Sequence, residues 1–135
     1  MKNISINKTI IFSVLALLLN TQVIIAGELI PLRQGIYVRE PDKCSDFSLA
    51  SMTIFDGHGF QGGHTTAKIT DIRKNGNMYY TTERVKFTDP GSKPYTRKMK
   101  VTVINKTTFS LSDIWNEGQP PYLKTETYHW CKASW

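Results

Sequence analysis

The stretch SLASMTIFDGHGFQGGHT, residues 48–65, decides the fold. Ala50, Met52 and Ile54 fall on one face and Ser51 and Thr53 on the other, the period of two of a strand with one buried side. Asp56-Gly57 then reads as a type I′ hairpin turn, because both central positions need a positive φ that Asp and Gly tolerate. Gly59, Gly62 and Gly63 leave the returning chain free to bend or bulge. The stretch predicts a hairpin, and the rest of the chain repeats its pattern.

Toward the N-terminus, Ile36-Tyr37-Val38-Arg39 alternates as a first strand, after a lead-in broken by Pro31 and Gly35. Residues 45–48 fit a loop or one helical turn capped by Ser45 or Asp46. Toward the C-terminus, residues 66–73 read as a strand in which Ile69 and Ile72 break alternation, the mark of a bulge. Asn75-Gly76 is the strongest hairpin signal, and it leads into residues 78–88, rich in aromatic and β-branched side chains. Pro90-Gly91 suits a type II turn. Residues 95–104 alternate with Met99, Val101 and Val103 inward and Lys98, Lys100 and Thr102 outward. A turn at Asn105-Lys106 follows, and Thr107, Phe109 and Leu111 continue the buried face. Residues 113–121 read as a polar loop carrying Trp115, and residues 122–131 as the last strand. No segment of useful length has a helical period. The fold class is all-β: a small antiparallel β-barrel or meander of roughly six to eight strands.

Of the 135 residues, the first 26 have the pattern of a secretory signal peptide: Lys2 and Lys8, an apolar run over residues 10–19, and the small Ala26 before the cut. The remainder, 27–135, is one domain. The leader holds two of the 17 basic residues and none of the 11 acidic ones, leaving a mature net charge of +4. That mild excess suits a mildly acidic partner, a protein or a cell-envelope component. An exported chain without a nucleic-acid motif is not expected to bind nucleic acid, nor to stay inserted in a membrane after cleavage. Periplasmic or secreted location is the expectation, and there Cys44 and Cys131, both beyond the leader, should form one disulfide. Such a bridge would bring the ends of the meander together and favour a closed barrel.

The signal peptide, Gly35-Ile36-Tyr37-Val38-Arg39, Cys44, Phe55-Asp56-Gly57-His58-Gly59 and the late Cys131 together resemble small exported proteins of Gram-negative bacteria. The resemblance spans most of the mature chain and carries no assigned activity. More loosely, the chain is similar to the periplasmic C-type lysozyme inhibitors, small disulfide-stapled barrels. Gly91-Ser92-Lys93-Pro94-Tyr95 resembles the loop with Lys and Tyr that those inhibitors present. Lysozymes are themselves basic, which matches a domain of this charge poorly.

Asp56, His58 and His64 are the one cluster with metal or acid–base potential, and it would need both imidazoles to converge. No nucleophile elbow, zinc-protease motif or phosphate-cradling loop is present. No catalytic residue, metal or cofactor is therefore assigned. Arg97, Lys98 and Lys100 read either as a solvated face or as a basic docking surface joined by Lys86, Lys93 and Lys106. Trp115 and Trp135, in a loop and a tail, are the aromatic residues hardest to place in a core. The expected function is non-enzymatic binding, of the inhibitor or immunity type, through the loop of residues 56–64 or that of 89–95. Asp56, His58, His64, Ser92, Lys93, Tyr95, Arg97 and Trp115 are its candidate contacts. The alternatives are a lipocalin-like carrier of a small ligand and a metal-dependent enzyme at His58 and His64.

Overall fold

The computed structural model describes residues 29–133; the segment read as a signal peptide and Trp135 lie outside the described residues. Eight strands form one antiparallel sheet: β1 (Gly35–Arg39), β2 (Met52–Phe55), β3 (Phe60–Gln61), β4 (Thr65–Asn75), β5 (Met78–Phe87), β6 (Tyr95–Asn105), β7 (Thr108–Asn116) and β8 (Glu126–Lys132). A single 3₁₀ turn, Leu49–Ser51, precedes β2. The order β3-β2-β1-β8-β7-β6-β5-β4 makes every strand except β3 the neighbour of the next in sequence, with β8 returning to β1. The result is an up-and-down barrel, nearly closed, with β3 and β4 at its seam. The Cys44–Cys131 disulfide ties the β1–β2 connection to β8, as the oxidising-compartment argument expects.

Alternation explains most of the strands. Tyr79, Thr81, Glu83 and Val85 of β5 and Met99 and Val101 of β6 are buried, while Tyr80, Arg84, Lys86 and Lys98 between them are exposed. The bulge expected between Ile69 and Ile72 is present as a register shift against β5, and it keeps both isoleucines turned to the core. Inside, Phe55, Phe60, Phe109 and Tyr128 form a row of rings with centroids 5.0–5.2 Å apart, and Tyr37 meets Phe109 edge-on at 4.9 Å. Eight strands leave an interior that side chains can fill, and here aromatic rings fill it. Burial pushes the Tyr37 and Tyr128 phenols up to about 12.

Several local expectations are corrected. Asp56-Gly57 is not a type I′ turn: only Gly57 has a positive φ, and the connection runs from residue 56 to 59. The Asp56 carboxylate accepts the amides of His58 (2.8 Å) and Gly59 (2.9 Å), so side-chain capping replaces the tight turn. The β4–β5 and β6–β7 hairpins turn one residue later than the sequence suggests, at Gly76-Asn77 and Lys106-Thr107. At the second, Asn105 Oδ1 holds the Thr107 amide at 2.9 Å. Trp115 lies in β7 rather than in a loop, and the last strand starts at Glu126, leaving Tyr122 in irregular chain bridged to Ile114. The lead-in is not passive either. Ile30 and Leu32 are buried in the core, and Arg33 bonds the Lys106 carbonyl at 2.7 Å, so the segment plugs the barrel end beside the β6–β7 hairpin.

At the seam, β3 is too short to offer β4 a ladder. Gly62 N–H reaches Thr65 O (3.2 Å) and Ile69 N–H reaches His58 O (2.7 Å). Between them the Gln61 carboxamide stands in for a strand residue: it accepts Ala67 N–H at 2.6 Å and donates to Ala67 O at 2.7 Å. This needs a bare backbone at Gly59, where a Cβ would fall 2.7 Å from the Ala67 carbonyl carbon. Gly59→Ala is therefore expected to lose about 1–3 kcal/mol of stability by forcing the seam apart. Chemical denaturation checks it.

Candidate binding groove across the seam

The pairing of β4 with β5 sets Thr66 opposite Lys86 and Lys68 opposite Arg84, all exposed on the outer face because Ala67 and Val85 between them point inward. These residues form the floor of a groove of about 890 Å³ that also takes in Ile54, Asp56, His58, Gln61, Thr65 and Thr88. Like charges set directly across a ladder repel. Arg84 is answered in part by Glu117 at 3.8 Å, while Lys68 and Lys86 have no ion pair among the described residues. The groove is basic, with one carboxylate. That carboxylate, Asp56, is occupied: its second oxygen accepts Gln61 Nε2 at 3.0 Å.

The structure brings one of the two candidate loops to this groove, and no residue of 89–95 lines it. Asp56 and His58 line its wall, and His64 O, at the far end of the same loop, accepts the N–H of Thr88, the residue before the other loop, at 2.9 Å. Ser92 and Lys93 are exposed beyond Thr88, just after the turn at Pro90-Gly91, where Gly91 has φ +85°, and the Tyr95 ring packs on Phe87 at 5.7 Å. His58 and His64 do not converge. The His58 carbonyl is bonded to Ile69 N–H, whereas His64 directly precedes Thr65 at the other end of that segment of β4, roughly 13 Å of strand away. Among the described residues no group of three His, Cys, Asp or Glu side chains is placed to hold a metal.

Arg97 leaves the basic face. It shares the inward face of β6 with Met99, and its guanidinium forms an ion pair with the fully buried Glu83, Nε donating to Oε2 at 2.9 Å. The pair grips β3 from within: Glu83 Oε1 accepts Phe60 N–H at 2.9 Å, and Arg97 donates to Phe60 O at 2.8 Å. Period-two alternation already puts Arg97 on the side of Met99 and Val101, and that signal was outweighed by its lysine neighbours. Lys98 and Lys100 stay outside. Lys100 is raised above the usual lysine range by its hydrogen bond to Asp113 and the charge behind it, and the ion pair measures 2.8 Å. Lys98 lies over the Trp115 ring at 5.6 Å. Lys68, Arg84 and Gln61 carry the groove yet do not stand out in the sequence, because only the β4–β5 register and the seam bring them together.

A comparison with protein-family models, with curated proteins and with solved structures finds no match to this chain.

Proposed function

We propose that the protein is an exported, non-enzymatic binding protein that takes an acidic segment of a partner protein into the groove across its seam, in the manner of an inhibitor or immunity protein. The observation that carries this reading is the row of Lys68, Arg84 and Lys86, turned outward on a rigid ladder beside the loop of residues 56–64. An acidic segment would relieve the repulsion that the ladder imposes on Lys68 and Arg84. The aromatic filling of the barrel favours binding on the outside over carriage of a small ligand within. Export is supported by the Cys44–Cys131 disulfide together with the leader-like N-terminus.

The test is affinity capture from periplasmic and extracellular extracts with the oxidised protein, beside a variant carrying Lys68→Glu, Arg84→Glu and Lys86→Glu. One dominant acidic protein, retained at moderate salt by the native chain and released by the variant, is the expected result. Equal retention by both proteins would sink the reading.

A further inference from the structure

Two backbone irregularities on either side of β5 and β6 redirect side chains to one place on the outer surface. In β7, Phe109 and Leu111 point inward, and unbroken alternation would send Asp113 and Trp115 after them. It is broken: Asp113 and Ile114 together face the single Met99 of β6, and Asp113 takes φ +53°, a conformation that residues other than glycine rarely adopt. Ile114 packs on the core in place of its neighbours, and Trp115 is turned out beside Lys98 with 37% of its surface exposed. In β4, the bulge after Ile69 likewise turns Asp71 and Arg73 outward. Both sets meet at a cleft of about 150 Å³, whose walls include Asp71, Arg73, Tyr80, Lys98, Lys100 and Asp113.

We infer that this face, from Tyr80 to Trp115, is a docking surface for an extended acidic polysaccharide, a chain of pyranose rings bearing carboxylates. Tyr80 and Trp115 both stand on the outer face, on β5 and β7 with β6 between them. Two strand spacings, about 10 Å, and a two-residue offset along the strands, about 7 Å, separate them, because Tyr80 pairs with Lys100 and Trp115 with Lys98, so they stand about 12 Å apart. Roughly two to three sugar units of an extended chain cover that span, so each aromatic side chain has a ring of its own to meet. Arg73 and Lys98, the latter leaving its place over the Trp115 ring, supply cations for the carboxylates, while Asp71 and Asp113, the latter shared with Lys100, accept from sugar hydroxyls. This mixture selects against the partner proposed for the seam groove. The carboxylates of an acidic peptide have no proton to donate to Asp71 and Asp113, whereas a polyuronate brings hydroxyl donors for them together with carboxylates for the cations. The inference is separate from the protein-binding reading, because neither aromatic residue lines the groove floored by Lys68 and Lys86.

Titration calorimetry of the full oxidised chain with oligogalacturonate tests it, with polyglutamate and a neutral glucan oligosaccharide as comparisons. Saturable binding of the uronate alone is expected, weakened about tenfold by Trp115→Ala and by Tyr80→Ala separately. Both side chains are exposed, so both variants keep the fold, and circular dichroism verifies that. Equal binding of polyglutamate would reduce the site to charge and overturn the inference. Undetectable uronate binding, or uronate binding unchanged in both variants, would overturn it as well.

Discussion

Arg97→Met is expected to cost about 3–5 kcal/mol of folding stability, because it strands the Glu83 carboxylate in the interior without its cation. Glu83 has no route to solvent, and one of its two oxygens is already committed to Phe60 N–H. The same substitution releases the Phe60 carbonyl, so the grip on β3 fails at two points. The double variant Glu83→Leu with Arg97→Met leaves no buried charge and should recover a large part of the loss. It cannot recover all of it, since both polar groups of Phe60 then lack their side-chain partners. A denaturation cycle over the four proteins measures the coupling. Hydrogen exchange at Phe60 separates this account from general loosening: the amide should lose protection in the double variant while β5 and β6 keep theirs. Additive single effects, with Phe60 still protected, would contradict it.

The second large effect is expected at the disulfide. Cys44 and Cys131 are 87 residues apart, and opening a loop of that size costs about 4–5 kcal/mol in the chain-entropy account. The Cys44→Ser, Cys131→Ser double variant should therefore unfold at much lower denaturant than the native chain. Reductant should lower the native protein to nearly the same midpoint and leave the variant unmoved. The bridge fastens the β1–β2 connection to β8 and does not touch the β3–β4 seam. Its loss should accordingly add to that of Gly59→Ala, as distant sites do. A strongly non-additive pair would show that the two closures act as one.

The sequence made the strands and their inward residues readable wherever a decision was local. Met99, Val101, Phe109 and Leu111 follow from alternation, and the β4 bulge from two isoleucines three apart. What it concealed depends on register and closure. Lys68 faces Arg84 only because β4 and β5 pair as they do, and a turn one residue later would have paired it differently. Asp56 was read through its φ tolerance, yet its carboxylate, accepting two amides, decides the turn. Trp115 was read as a loop residue because its neighbours are polar; the structure keeps it in a strand and spends a strained Asp113 to turn it out. Gln61 gives no such signal. Nothing in the residues around it announces that its carboxamide replaces a missing stretch of strand.

Seven of the junctions around this barrel are ladders of backbone amides and carbonyls, which every residue except proline can supply, so drift in side-chain identity leaves those joints intact. The eighth depends on identity at Gln61, Glu83 and Arg97. The tolerance of this architecture to genetic change is thus uneven around its circumference. Descendants of the chain can rewrite most of the wall freely, while the codons for these three side chains must be inherited as a set or exchanged together.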